Sequence, residues 1–250
     1  MTQRVWAFDL DNTLIEASRF YGYAILDFTR LMMGVLGWRT LSWWEIGQLV
    51  SKIDRGLVEK WGASRDRFPA ALWQSYCRLC EFVEVPYDDK VGAEVWAIGK
   101  RALSRTNYSP LLVIPGVGDV LNRLSRRGDE LFVVTKGDPV VQWRKWQGCE
   151  LQRWFPRDRF IVVRWEPAAG YPGDKTEALL ELRDRYPFHE RFMVGDSIKD
   201  DILPALRAGM TGIYVPSNWH WHPGEIPLLL PNGAIRLRKI TEILDGFPGR

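Results

Sequence analysis

Five short apolar runs, each ending in polar residues, constrain the fold of this chain more than any other feature. They are "RVWAF" (4–8), "ELFVVT" (130–135), "RFIVV" (159–163), "RFMVG" (191–195) and "GIYVP" (212–216). Each is short, nearly continuous in apolar side chains and rich in β-branched or aromatic residues. That pattern marks strands buried on both faces, as in a parallel sheet. Helical patterns separate most of them. "GDVLNRLSRRG" (118–128) precedes the second run and stops at Gly128. "DKTEALLELRDRY" (174–186) precedes the fourth, with Asp174 as N-cap and Glu177 completing a capping-box-like pair. "DDILPALRAGM" (200–210) precedes the fifth and closes on Gly209. Strands alternating with helices predict an α/β fold with a doubly wound, mainly parallel, Rossmann-like sheet.

One connection breaks this rhythm. Between residues 15 and 109 no buried strand is evident. Instead come four helix-compatible stretches: "YAILDFTRLMMGVL", "SWWEIGQLVSKI", "FPAALWQSYCRLCEFV" and "KVGAEVWAIGKRAL". These suffice for a small bundle, and they end at the polar stretch "SRTNYSP" (104–110). The expected organisation is an α/β core of residues 1–14 and 110–250 with an inserted helical domain at 15–109. "PGVGD" (115–119) lacks the full dinucleotide fingerprint and reads as a hinge and helix start.

Composition narrows the function classes. An apolar fraction of 46% supports a real core and argues against bulk disorder. Net charge is +3 and the arginines are scattered; Arg123, Arg126 and Arg127 lie near a helix end, where cations suit the dipole. With no basic stripe or recognition motif, a nucleic-acid partner is not expected. Three cysteines cannot all pair within one chain. Cys77 and Cys80 of "CRLC" have redox or zinc spacing, but no second pair follows and the segment is helical, so they read as small buried residues. This suits a reducing compartment. No stretch reaches about 18 uncharged apolar residues, so no membrane span is expected, and the chain enters its first strand without a signal-type lead. A cytoplasmic location is the expectation.

Ligands of open α/β sheets collect beyond the carboxyl ends of the strands, and here those ends are unusually polar. The first brings Asp9, Asp11 and Thr13; the second Thr135, Lys136, Gly137 and Asp138; the fourth Gly195, Asp196, Ser197, Asp200 and Asp201. Lys175 opens the helix leading into the fourth. Taken singly, Asp138 or Asp200 reads as a helix N-cap, Lys175 as a solvated lysine and Thr135 as a turn hydroxyl. Taken together, these groups would meet at one sheet edge, where clustered carboxylates repel unless a cation sits among them. Hard oxygen ligands with an open face suit Mg²⁺.

The set "DLDNT" (9–13), "VVTKG" (133–137), "DKTEALL" (174–180) and "VGDSIKDDI" (194–202) resembles, in order and in strand or helix context, the four motifs of the haloacid dehalogenase (HAD) superfamily. The helical insert matches by position that family's C1-type cap. The receiver domains of two-component systems use similar groups, but in a different order and without an insert. The resemblance implies that Asp9 is the nucleophile and Asp11 the general acid, then base. It implies Mg²⁺ held by Asp9, the backbone carbonyl of Asp11, Asp196 and a distal acid. Asp201 is favoured for that acid because "DILPALRAG" keeps the family's register to Gly209; Asp200 is the alternative. Thr135 and the backbone N–H of Lys136 would hold phosphoryl oxygens, and Lys175 would neutralise charge on them and on Asp9. Because alternate strand residues face opposite ways, the chain must leave strand geometry after Asp9 for both acids to serve one site.

The acid at Asp11 points away from dehalogenation, since a departing halide needs no proton. The expected activity is Mg²⁺-dependent hydrolysis of a small phosphate monoester, with a small phosphorylated metabolite as partner and monomer or homodimer left open. Two alternatives stand beside it: a sugar phosphomutase using the same aspartyl-phosphate, and a non-catalytic regulatory protein on the same fold. Six tryptophans fall in the insert, Trp38, Trp43, Trp44, Trp61, Trp73 and Trp96. Most are expected to pack between helices, although Trp43 and Trp44 cannot both face one core. "SNWHWHPGE" (217–225) places His220 and His222 at a metal-like spacing without a third histidine nearby and reads as a surface or rim loop.

Overall fold

A computed structural model of the chain describes residues 3–217 and 229–246. His220 and His222 lie outside the described residues. The chain forms two compact units: Met1–Ser18, Tyr108–Arg164 and Gly173–Arg250 make one, and Arg19–Asn107 with Trp165–Pro172 the other.

The helical unit contains α1 (Arg19–Leu36), α2 (Trp43–Trp61), α3 (Arg67–Val83) and α4 (Asp89–Arg101). The four expected stretches each form one of them. Ser42 starts α2 in a reciprocal capping box with Glu45, and Asp88 accepts from the Lys90 and Val91 N–H groups at the start of α4. Phe28, Met32, Ile46, Val50, Phe68, Leu72, Tyr76, Leu79, Val95 and Ile98 are buried here. Cys77 and Cys80 lie inside α3 as free thiols, each with its pKa pushed up by burial.

The tryptophans correct the sequence expectation. Trp43 and Trp44 are 63% and 57% exposed and meet each other edge-to-face. Trp61 and Trp73 are also exposed, and Trp96 is half-buried. Aliphatic, Phe and Tyr side chains fill the interior instead. A second correction concerns Trp165–Pro172, expected in the α/β core but packed with the helical unit. The Ala63 N–H donates to the Trp165 carbonyl at 2.9 Å. Gly62, at φ +57°, lies so close to that carbonyl that a Cβ would collide with it.

The α/β unit is built on β1 (Arg4–Phe8), β2 (Glu130–Gly137), β3 (Phe160–Glu166), β5 (Glu190–Gly195), β6 (Thr211–Tyr214) and β7 (Ala234–Arg236); the last two residues of β3 and all of β4 (Tyr171–Pro172) belong to the helical unit. The sheet order is β4-β3-β2-β1-β5-β6-β7. Every pairing is parallel except the antiparallel β3–β4 contact. All five expected strands are present; β4 and β7 are additions at the edges. Central β1 pairs with β2 and β5. Its Val5, Trp6, Ala7 and Phe8 are fully buried, which is why the run shows no alternation. Burying a side chain of this size is worth about 1.5–3 kcal/mol. Strands after β1 build first to one side and then, from β5, to the other. The crevice beyond Phe8 is therefore the topological switch point where such sheets bind ligands.

The helices of this unit are α5 (Val117–Arg126), α6 (Pro139–Gly148), α7 (Thr176–Arg185) and α8 (Leu203–Arg207). Leu179 and Leu182 of α7 and Ala205 of α8 pack on Val5, Ala7, Phe132, Val134 and Met193 of the strands. The stop after α5 is Gly128 at φ +79°. Asp138 caps α6 by accepting from the Val140 and Val141 N–H groups. At α7 the capping position is Lys175 rather than Asp174; the Asp174 carboxylate instead accepts from the Thr176 N–H at 2.8 Å and pairs with Arg207. None of the described helices is long and apolar enough to cross a membrane.

Candidate active site

β1 delivers Asp9, whose N–H still donates to the β5 carbonyl of Val194 at 2.8 Å. Strand geometry ends there. Leu14 and Ile15 N–H groups both donate to the Leu10 carbonyl, and Asn12 takes φ +63°, a conformation Asn tolerates. The Asn12 side chain secures the turn by bonding Ser18 in both directions. The chain thus leaves strand geometry after Asp9 and turns through Leu10–Ile15, the departure expected from the sequence.

Three carboxylates converge. One oxygen each of Asp9, Asp196 and Asp201 lies within 4.8 Å of the others. Lys175 reaches in from the start of α7, only 1% exposed, and donates to Asp9 Oδ1 at 2.5 Å and Asp201 Oδ1 at 2.6 Å. Asp201 also accepts from the Ser197 N–H at 2.9 Å. A widened π-type turn over Ile198–Ile202 turns it inward. Gly195 leaves the room, since a Cβ there would collide with the Asp201 carboxyl group. Asp200 points elsewhere and pairs with Lys136 at 2.7 Å. Of the two distal acids left open by the sequence, Asp201 is the one in the cluster.

Burial dominates the electrostatics. It raises the Asp9 pKa to about 7, with Lys175 pulling it down and Asp201 and Asp11 pushing it up. Asp196 is raised well above the ordinary carboxylate range, by burial first and then by Asp9 and Asp201. Burial works against the Lys175 charge, but Asp201 and Asp9 outweigh it and raise that pKa. One ammonium does not balance three carboxylates, so the cluster favours either protons or a further cation. Three hard oxygen donors could hold a divalent cation.

A divalent cation bound among these oxygens would compete with the proton, which gives a pH-dependent expectation. Mg²⁺ at about 100 times its Kd should add about 2.7 kcal/mol to stability, a rise in melting temperature of roughly 5–10 °C for a chain of this size. That rise is expected at pH 8, where Asp9 has lost its proton. At pH 5.5 it should shrink severalfold. Melting curves with and without Mg²⁺ at the two pH values measure it, and equal shifts would show that the cation binds elsewhere.

Thr135, in β2 two residues before its end, is buried, and its Oγ1 accepts from Gln142 Nε2 at 3.0 Å. Lys136, next to it, has its side-chain pKa lowered by burial. The Asp11 carboxylate lies against α6, where Lys145 Nζ reaches both its oxygens at 2.8 and 2.7 Å and Gln142 Nε2 reaches one at 3.1 Å. Sequence reasoning missed Gln142 and Lys145. The available signal was two polar residues three apart on the helix that follows "VVTKGD", on the face that also carries buried Val141. Thr13, the last residue of the first motif, is buried, and its Oγ1 has no hydrogen-bond partner among the described residues.

The haloacid dehalogenase-like hydrolase family matches residues 4–209. The chain belongs to that family. Among curated relatives of this HAD-like hydrolase, the glyceraldehyde 3-phosphate phosphatase of Pyrococcus abyssi is 30% identical over 138 residues, 54% of each chain. The protein of the same name from Pyrococcus furiosus is 28% identical over 118 residues, 47% of this chain and 48% of its own. The matches thus span about half the length of these relatives. Among solved structures, a haloacid dehalogenase-like family hydrolase from Xanthomonas campestris superposes with a TM-score of 0.69 at 20% identity, covering 96% of this chain and 88% of its own. A HAD phosphatase from Thermococcus onnurineus reaches 0.55 at 18% identity, covering 97% of each. These structures share the fold of this HAD-like hydrolase.

Proposed function

We propose that this HAD-like hydrolase is a Mg²⁺-dependent phosphatase that cleaves a small phosphate monoester through an aspartyl-phosphate on Asp9. The observation that carries this is the buried Asp9, bonded to Lys175 among two further carboxylates, with a second acid two residues along the same turn. An Asp9 oxygen attacks phosphorus, the bond to the ester oxygen breaks, and Asp11 gives its proton to that oxygen. Asp11 then takes a proton from the water that attacks the aspartyl-phosphate, releasing phosphate and restoring Asp9. Thr135 Oγ1 and the Lys136 N–H hold phosphoryl oxygens, and Lys175 offsets the charge on them and on Asp9. Mg²⁺, held by the Asp9, Asp196 and Asp201 carboxylates and the Asp11 carbonyl, would supply charge neutralisation between the nucleophile and the phosphoryl group. The helical insert is assigned the role of a substrate-selecting cap because it directly follows the nucleophile's strand in the sequence.

The names of the two Pyrococcus relatives put a triose phosphate at the head of the substrates to try. The test is a panel of glyceraldehyde 3-phosphate, phosphoglycolate, sugar phosphates and nucleotides with Mg²⁺. Free phosphate released from one of the small esters is the expected product. An isomeric sugar phosphate would identify a mutase, and inactivity across the panel would leave a binding protein on a hydrolase fold.

A further inference from the structure

The four motifs do not account for what holds Asp11. Lys145 is only 5% exposed, and its Nζ bonds both Asp11 carboxylate oxygens, at 2.8 and 2.7 Å. Gln142, equally buried, reaches three acceptors with one amide nitrogen: Asp11 Oδ2 at 3.1 Å, Thr135 Oγ1 at 3.0 Å and the Lys136 carbonyl at 3.1 Å. The two residues are three apart on α6 and share a face. Their helix is anchored at its start, where Asp138 accepts from Val140 and Val141. Gly137 leaves Gln142 its place, since a Cβ there would come within 2.8 Å of Nε2. A lysine is rarely buried unless specific partners compensate its desolvation, and here Asp11 is one.

We propose that Lys145 is a positioning residue that fixes the orientation of the Asp11 carboxylate. Gln142 ties that orientation to Thr135, so the proton-handling acid and the phosphoryl-holding hydroxyl keep one spacing. The assignment rests on the phosphatase function above. A carboxylate on a turn has several staggered settings, and a misplaced acid forfeits much of the two to four orders of magnitude that proton transfer contributes. Lys145 removes that freedom: it holds both oxygens of the ionised carboxylate, and when one oxygen carries the proton the other still accepts from Nζ.

Leaving-group dependence tests this, because only a poor leaving group needs the Asp11 proton as the ester bond breaks. Lys145→Met keeps the apolar stem and removes the ammonium. In first-turnover measurements with the best alkyl ester of the panel, it should slow leaving-group release about 100-fold with KM within about twofold. With p-nitrophenyl phosphate, first-turnover release should fall by less than about fivefold, because nitrophenolate departs without a proton. Gln142→Ala should show the same preference at smaller amplitude, and it carries the test if Lys145→Met does not fold. Equal losses on both esters would reveal a purely structural role and overturn the assignment, as would an unimpaired rate on the alkyl ester. If the wild-type protein releases phosphate from neither ester, the phosphatase function itself fails, an outcome visible before any variant is made.

Discussion

Asp9→Asn is expected to abolish phosphate release while leaving the fold intact. An amide has nearly the shape of the carboxylate but cannot form the acyl-phosphate, so turnover should fall by at least about 10⁴-fold, into the blank of a phosphate assay. The fold should survive because Lys175 keeps its second partner, Asp201, at 2.6 Å. The substitution also removes a group whose charged form is disfavoured by burial. At pH 8 without Mg²⁺ the variant should therefore melt within a few degrees of wild type, a difference under about 1 kcal/mol. Its Mg²⁺-induced rise in melting temperature should shrink, since one of three charged oxygens is gone. Retention of wild-type turnover would remove Asp9 from the mechanism.

What made the fold legible was the burial of its strands. Val5 to Phe8 read as a two-sided core strand and occupy the centre of the sheet. Tyr171–Pro172 and Ala234–Arg236 escaped because strands of two and three residues at exposed or half-exposed edges have no periodicity to detect. The same contrast governs the site. Asp9, Asp196 and Lys175 stand at the ends of apolar runs or at a helix start, where a polar residue is conspicuous. Spacing admitted both Asp200 and Asp201. The register to Gly209 favoured Asp201, but its inward turn depends on the π-type turn and on the missing side chain of Gly195, which are features of packing. Gln142 and Lys145 left only a weak signal, for the opposite reason. In a sequence, a buried polar residue on a helix looks like any solvated one, and α6 mixes them on one face with Val141. The exposed Trp43 and Trp44 show the converse limit, since hydrophobic residues are not always inside.

Lys175→Met should be the most destabilising substitution at the site, and its effect should depend on pH in a defined direction. Lys175 is the buried cation bonded to both Asp9 and Asp201. Removing it leaves buried carboxylates uncompensated, a loss of about 3–5 kcal/mol, or roughly 10 °C or more in melting temperature. In wild type the Asp9 pKa is raised from 3.8 to about 7 in the folded chain. Its contribution to stability is therefore present in full below pH 4 and is lost as pH rises through about 7. Asp196, raised in the same direction, adds to that loss. Lys175 is the interaction that pulls the Asp9 pKa down, so without it the folded-state pKa rises further. The gap between wild type and variant should accordingly widen from pH 5 to pH 8. Saturating Mg²⁺ should narrow the gap at pH 8, because a cation among the same oxygens takes over part of the compensation. Turnover should still fall about 10³-fold, since the charge that faces Asp9 and the phosphoryl group is missing. Melting curves across that pH range, with and without Mg²⁺, measure the effect. A gap independent of pH would mean that Lys175 supports the site by packing rather than by charge.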